Sequence, residues 1–187
     1  MIADLLAHEG VAETCDLRGR FGFMALHGGS LERGTAEIVR RAADISGASL
    51  YTVEQPDELQ WHVPSHLYDP AEAPALARFL DHVDVVVSVH GYGREGFWSR
   101  LLLGGADRAL ARLAATRMRP HLDGFEVIDD VDEIPRELRG LHPRNPVNLS
   151  RSGGVQVELP PRVRGLGPRG EPAFIDALVR GLVEIVA

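Results

Sequence analysis

The segment Val83–Val89 (VDVVVSV) constrains the fold of this chain more than any other part of its sequence. It is apolar and β-branched almost without interruption, whereas a half-exposed strand alternates apolar and polar residues. This pattern predicts a central strand that is covered on both faces. Four further segments have the composition of strands: Gly22–Leu26, Ser49–Glu54, Phe125–Ile128 and Val155–Leu159.

Helical patterns alternate with these strands along the chain. They cover Thr35–Ile45, Ala71–His82, Asp107–Met118 and Pro172–Val186. The alternation predicts an α/β fold, a three-layer sandwich in which a mixed, mostly parallel sheet carries helices on both faces. Because the chain has 187 residues and no long linker, we expect one domain over residues 1–187.

Composition excludes several classes of protein. The formal net charge of −7 argues against a nucleic-acid-binding protein, which would carry a basic face. No apolar run approaches the roughly 20 residues of a membrane span, and the first residues do not have the pattern of a signal peptide. The single cysteine, Cys15, excludes an internal disulfide and a multi-cysteine metal site. We therefore expect a cytoplasmic protein that binds neither nucleic acid nor membranes.

Two histidines stand at the ends of apolar strands, and glycine follows each of them. His27 ends the run FGFMAL, His90 ends VVVSV, and Glu32 comes five residues after His27. Because the carboxyl ends of parallel strands meet at one edge of a sheet, these side chains are expected to lie close together. Two imidazoles and one carboxylate with an open fourth position are typical of catalytic zinc, although manganese or iron could use similar ligands.

Glu158 is a lone carboxylate within the apolar segment GGVQVELPP, on the same strand face as Gln156. Two interpretations are open. The strand could lie at the edge of the sheet with a solvated face, or Glu158 could be a general base beside a metal-activated water.

Arginines cluster around Glu158. Between residues 139 and 170 there are six arginines and one acid, Glu158, which is typical either of an anion-binding region or of a solvated loop with scattered charge. These arginines are Arg139, Arg144, Arg151, Arg162, Arg164 and Arg169. The segment NPVNLSR contains both Asn148 and Arg151. This pair is suited to binding a carboxylate or polarising a carbonyl. The segment HVPSHLYD offers His62, but serine catalysis there is disfavoured because the chain lacks a G-x-S-x-G motif.

Five motifs in this order resemble the poly-γ-glutamate hydrolase family, zinc peptidases of phages and bacteria that cleave γ-glutamyl linkages. They are HGGSLERGT, HVPSHLYDP, VSVHGYG, LLLGGAD and NPVNLSRSGGVQVELPPRVR, and they extend over roughly Gly22 to Arg164. The resemblance implies a fold similar to zinc carboxypeptidases. It also implies that His27, Glu32 and His90 bind zinc and that Glu158 is the general acid/base.

These expectations combine into a zinc-dependent amide hydrolase acting on γ-glutamyl linkages. Glu158 and Arg151 are the predicted catalytic residues. The predicted substrate-binding residues are His62, Asn148, Arg162 and Arg164. The alternatives are an amidohydrolase for small N-acyl amino acids, of the N-formylglutamate or N-acylaspartate type, and an inactive binding protein of the same fold. We expect an anionic γ-glutamyl or N-acyl amino acid substrate and a monomer or small homo-oligomer.

Overall fold

The computed structural model describes residues 1–167 and 173–186, and its strands form one mixed sheet in the order β1-β3-β2-β4-β7-β5-β6. Four of the six neighbouring pairs in this described sheet are parallel; β1 runs antiparallel to β3, and β5 runs antiparallel to β7. The strands are β1 (Ala12–Asp16), β2 (Phe21–Gly29), β3 (Ser49–Gln55), β4 (Val85–Gly91), β5 (Arg100–Leu103), β6 (Glu126–Ile128) and β7 (Gly154–Leu159).

Helices cover both faces of the sheet, which confirms the predicted three-layer α/β sandwich. The helices are α1 (Ile2–Leu6), α2 (Thr35–Ser46), α3 (Pro74–His82), α4 (Arg108–Met118) and α5 (Ile175–Val186). Helices α2, α4 and α5 pack on one face in the larger apolar core, and α1 and α3 pack on the other face. Within residues 1–167 and 173–186, no helix is both long enough and apolar enough to cross a bilayer.

The two cores follow from the alternation of side chains along β2 and β4. Phe23 of β2 packs with Val87 of β4 in the core under α2, whereas Met24 packs with Val86 in the core under α3. The near-continuous apolar character of Val83–Val89 therefore has the predicted cause, since both faces of β4 are buried.

The structure differs from the sequence prediction in several elements. Helix α1 and strands β1 and β5 are additional; β1 is largely polar, and β5 has only four residues, so neither gives a clear strand pattern. Strand β7 lies between β4 and β5, so its interpretation as an edge strand is wrong. The predicted start of the last helix, Pro172, lies outside the described residues, as does Arg169.

The chain reverses its direction of winding at β2, and this positions the candidate site. From β2 it passes through α2 to β3 on one side, and then through α3 to β4 on the other side of β2. Because α2 and α3 lie on opposite faces, a crevice opens between the carboxyl ends of β2 and β4. His27 lies near the end of β2 and His90 near the end of β4.

Candidate metal centre and active-site cleft

Three buried side chains converge at the crevice between β2 and β4. The Nδ1 atoms of His27 and His90 lie 3.3 Å apart. Glu32 Oε1 lies 2.8 Å from His27 Nδ1, and its Oε2 lies 3.4 Å from His90 Nδ1. This is the one group of three or more possible metal ligands found within the described residues, and its ligand atoms all lie within 4.8 Å of one another.

A tight turn after β2 returns Glu32 to His27. The Glu32 amide donates to the His27 carbonyl oxygen at 2.8 Å. Gly29 begins this turn with φ +73°, and a Cβ atom there would lie 2.1 Å from the backbone oxygen of Gln55. Only glycine fits this position, because both the backbone conformation and the close contact exclude a side chain.

Hydrogen bonds to the outer atoms of the three side chains fix their orientation. His27 Nε2 lies 2.8 Å from the carbonyl oxygen of Val63, and because a carbonyl only accepts, this nitrogen carries the proton. With the proton on Nε2, Nδ1 is the nitrogen that remains available to a metal ion, and it is the one that faces Glu32. His90 Nε2 lies 3.0 Å from Ser88 Oγ, and the Gly91 amide donates to Glu32 Oε2 at 2.9 Å. Such outer contacts are typical of metal-binding histidines and carboxylates.

The donor set fits a divalent cation. With metal–ligand distances of about 2.1 Å, the ligand atoms of a tetrahedral site lie about 3.4 Å apart, close to the observed separations. Two imidazole lone pairs and a carboxylate that face one another repel unless a positive charge lies between them. The triplet therefore has the composition and spacing of a three-ligand metal site with one open position.

Glu32 and His90 shift each other's pKa values. Burial alone would raise the pKa of Glu32, but His27 and His90 hold the pKa well below its usual range. Burial disfavours the charged form of His90, yet the Glu32 carboxylate outweighs it and raises the pKa of His90. In the metal-free protein the Glu32 carboxylate therefore favours a proton on this imidazole.

Glu158 faces the same cleft from β7. It is the register partner of His90 and is only 4% exposed. Its Oε1 accepts a hydrogen bond from Gln156 Nε2 at 2.7 Å. Burial raises the pKa of Glu158 to about 7, against the opposing effect of His90. A carboxyl group with this pKa exchanges a proton readily near neutral pH, as a general acid/base requires.

The cleft in front of these residues has a volume of about 550 Å³, within the usual range for a small-molecule site. One wall is formed by residues 139–145, here called the rim loop, which contribute Gly140, Leu141, His142 and Asn145. Further polar lining comes from His62, His66, Arg136 and Gln156.

The structure brings some of the predicted substrate-binding residues to the cleft and leaves others away from it. His62 lines the cleft, with its ring centroid 4.9 Å from that of His27. Arg151 lies at the opposite end of β7, where it is 74% exposed and 3.4 Å from Asp84. It precedes β7, whereas Glu158 lies near the carboxyl end, so the position of Arg151 does not support a catalytic role.

The other three predicted substrate-binding residues donate to backbone carbonyl oxygens and do not line the cleft. Asn148 donates to the carbonyl oxygens of Gly140 and His142 and accepts from the Ala106 amide, so its amide supports the rim loop. Arg162 stacks on Phe125 and donates to Ser99 and Gly124. Arg164 lies behind Gly91, where it donates to the carbonyl oxygens of Arg33 and Tyr92.

Burial lowers the pKa of Arg164, although the carboxylates of Glu32 and Glu158 oppose this effect. Its Nε is the single buried side-chain nitrogen or oxygen without a hydrogen-bond partner in the described part of the chain. Arg164 is therefore a positive charge behind the metal centre and is not part of the cleft lining.

Sequence reasoning missed Arg136 and Asn145. Arg136 lies three residues before the arginine-rich segment, in a short 3₁₀ turn (Arg136–Leu138) without periodicity. Asn145 stands in the same NPVN motif as Asn148, and only the 3₁₀ turn Pro146–Asn148 decides which of the two faces the cleft. For Gln156, the one sequence feature that indicated a position in the cleft was that it shares a strand face with Glu158.

Comparisons with known proteins identify the family. The model of the poly-gamma-glutamate hydrolase family matches residues 7–166. The SPbeta prophage-derived UPF0714 protein YoqZ of Bacillus subtilis (strain 168) is 27% identical over 148 residues, which cover 78% of this chain and 51% of that protein. The chain thus spans about half the length of the curated relatives it matches.

Solved structures share the fold. A bacteriophage poly-gamma-glutamate hydrolase matches with a TM-score of 0.77 at 21% identity, over 94% of this chain and 87% of that chain. The zinc-free form of YndL matches with a TM-score of 0.76 at 20% identity, over 94% and 89%. A putative carboxypeptidase from Burkholderia mallei is more distant, with a TM-score of 0.51 at 11% identity over 99% and 66%. The fold is therefore carboxypeptidase-like, and the chain belongs to the poly-γ-glutamate hydrolase family.

Proposed function

We propose that this chain is a zinc-dependent amide hydrolase that cleaves γ-glutamyl linkages. The observation that carries the proposal is the buried triplet of His27, Glu32 and His90 with Glu158 on the adjacent strand, all opening onto one cleft. Family membership supports a hydrolase, and the bacteriophage relative supports a γ-glutamyl substrate. The zinc-free form of YndL supports zinc as the metal.

The ligands would be His27 Nδ1, His90 Nδ1 and the Glu32 carboxylate. Zinc bound there supplies a Lewis acid for the scissile carbonyl and lowers the pKa of water. Glu158 then removes a proton from the attacking water and transfers it to the nitrogen of the leaving amine, which returns Glu158 to its carboxylate form. Burial raises the pKa of the Glu158 carboxyl in the metal-free protein, and the apolar surroundings that cause this favour proton uptake from the water.

Arg136 is the best candidate for binding a substrate carboxylate, in place of Arg151. In a γ-glutamyl linkage the side-chain carboxyl forms the amide, so the α-carboxylate stays free and negatively charged. Arg136 lines the cleft, and its neighbour Glu137 is already paired with Arg94 at 2.5 Å and so does not neutralise it. A guanidinium group binds a carboxylate through two parallel hydrogen bonds.

Elemental analysis combined with a hydrolysis assay tests the proposal. The wild-type protein should contain about one zinc per chain and should release glutamate or its oligomers from poly-γ-glutamate. His27→Ala should lose both metal and activity, whereas Glu158→Gln should keep the metal and lose activity. A wild-type protein that takes up no divalent metal would overturn the assignment of the centre.

The same assay separates the alternative functions. Hydrolysis of N-formylglutamate or N-acetylaspartate without hydrolysis of γ-glutamyl oligomers would indicate an amidohydrolase for small N-acyl amino acids. A zinc-loaded protein that binds γ-glutamyl oligomers but hydrolyses no amide would indicate a binding protein.

A further inference from the structure

Three buried polar side chains form a hydrogen-bonded series that ends at Glu158. Asn145 Nδ2 donates to Gln156 Oε1 at 2.8 Å, and Gln156 Nε2 donates to Glu158 Oε1 at 2.7 Å. Asn145, Gln156 and Glu158 are between 3% and 5% exposed, so water does not compete for these bonds. The series connects the rim loop to the strand that carries the proposed base.

A backbone N–H group directs the first amide of the series, and that amide directs the second. The Val147 amide donates to Asn145 Oδ1 at 3.4 Å, and a backbone N–H only donates. Asn145 must therefore present its NH₂ group to Gln156. Gln156 in turn presents its oxygen to Asn145 and its NH₂ group to Glu158, which is the polarity that a carboxylate requires.

The rim loop also restricts the space around Gln156. Gly140 has φ +63°, and a Cβ atom there would lie 2.6 Å from Gln156 Oε1. The Gly140 carbonyl oxygen is held by Asn148 Nδ2 at 2.7 Å. Backbone on one side and Asn145 on the other thus leave the Gln156 amide little freedom to rotate.

We infer that Asn145 and Gln156 are positioning residues, which together orient the Glu158 carboxylate towards the reacting water. The inference rests on the proposed function of Glu158 as general acid/base. The hydrogen bond from Gln156 engages Oε1 and leaves Oε2 available to exchange a proton in the cleft. Asn145 acts through Gln156, since it is Gln156 that contacts Glu158.

A double-mutant cycle tests the series on the full chain loaded with zinc. Gln156→Met keeps the length of the side chain and removes both hydrogen bonds. Asn145→Leu keeps the approximate size of the side chain and removes the donor to Gln156 without adding a charge, so the Gln156 amide loses the contact that orients it. Each single change should lower kcat by about 10- to 100-fold, with KM within about 2-fold and zinc content unchanged, because a general base is worth about 10²- to 10⁴-fold.

The double variant distinguishes positioning from general loss of stability. If Asn145 acts through Gln156, adding Asn145→Leu to Gln156→Met should change kcat by less than about 2-fold. Ser150→Ala is the matched control, because it removes a buried hydrogen bond to Gly153 next to the start of β7 without contacting the series. It should lower the melting temperature and leave kcat unchanged. Unchanged kcat in Gln156→Met, or fully additive losses in the double variant, would overturn the inference.

A readout without turnover separates this inference from the proposed function. In ¹⁵N-labelled wild-type protein, the side-chain NH₂ resonances of Asn145 and Gln156 should exchange slowly with water, and Glu158→Ala should shift those of Gln156. If no γ-glutamyl amide is hydrolysed but these resonances behave as expected, the proposed function fails while the series stands. Rapid exchange of both amides would refute the series itself.

Discussion

His90 and Glu158 are direct register partners on the parallel strands β4 and β7, so backbone pairing places a candidate metal ligand beside the candidate base. Parallel strands lie about 4.8 Å apart, which fixes the spacing of the two side chains without any loop. Two residues earlier, Ser88 and Gln156 are also partners, and each supports its neighbour on the same strand face. These four residues form a two-by-two array of polar side chains on the adjacent strands β4 and β7.

Ser88→Ala should weaken metal binding by about 10- to 100-fold, since groups that orient a metal-binding histidine contribute this much to affinity. Ser88 Oγ is the partner of His90 Nε2 at 3.0 Å. Competition with a chromophoric chelator measures the affinity, and Ser150→Ala serves again as the control. Equal affinity in wild-type protein and Ser88→Ala would show that His90 is oriented by packing alone.

Metal affinity should fall as the pH is lowered. The pKa of His90 is raised above its ordinary value of 6.5 in the metal-free protein, so the proton there competes with the metal. The metal affinity should have its full value above this raised pKa, and it should begin to fall at a pH higher than 6.5. Chelator competition on both sides of pH 6.5 tests this, and Glu158→Gln should retain the dependence. Affinity that is constant over this range would contradict it.

Glu158→Gln should stabilise the metal-free protein, and more so at high pH. The pKa of Glu158 is raised from 4.5 to about 7 in the folded protein. The protonated carboxyl group therefore contributes fully to the free energy of unfolding below pH 4.5, and this contribution is lost as the pH rises through 7. The difference corresponds to on the order of 3 kcal/mol. Denaturant unfolding with EDTA at about pH 5 and about pH 8 compares the two proteins. The same stability difference at both pH values would refute the raised pKa.

Gly140→Ala should lower both stability and kcat, whereas Gly153→Ala should affect stability alone. Both glycines have positive φ, which costs a non-glycine residue about 1–2 kcal/mol. A Cβ at Gly140 also meets Gln156 at 2.6 Å, but nothing lies within 4 Å of a Cβ at Gly153. Thermal unfolding and kcat for both variants check the difference. Equal kcat in the two variants would show that Gln156 tolerates displacement.

Arg136→Gln should raise KM for γ-glutamyl substrates by about 10- to 100-fold, because a hydrogen bond to a charged group contributes about 1.5–3 kcal/mol. A substrate with an α-carboxamide in place of the carboxylate should show no such difference between wild-type protein and variant. Arg112→Gln, on the exposed face of α4, controls for the change in net charge. An equal loss on both substrates would place Arg136 outside the carboxylate site.

The layers of the fold and the convergence of His27, Glu32 and His90 follow from local patterns. A strand that is buried on both faces appears in the sequence as an apolar run. The residues at the carboxyl ends of parallel strands lie at the same edge of the sheet, whatever the conformation of the loops. The predicted fold is confirmed for this reason. Strands β1 and β5 gave no such signal, because one is polar and the other has only four residues.

The arginines could not be placed from the sequence. Their positions depend on loops, and a long flexible side chain reaches either face of the loop that carries it. Arg162 and Arg164 hold backbone carbonyl oxygens, and Arg151 pairs with Asp84 at the far end of the strands. Arg136 reaches the cleft from outside the arginine-rich segment, so charge density along the chain was not a guide to charge in the cleft.

The hydrogen bond between Asn145 and Gln156 is a direct side-chain link between the rim loop and strand β7. The cleft cannot widen at this wall without breaking that bond. Loss of that bond would also free the Gln156 amide that contacts Glu158, so the width of the cleft at this wall and the orientation of the Glu158 carboxylate depend on the same contact.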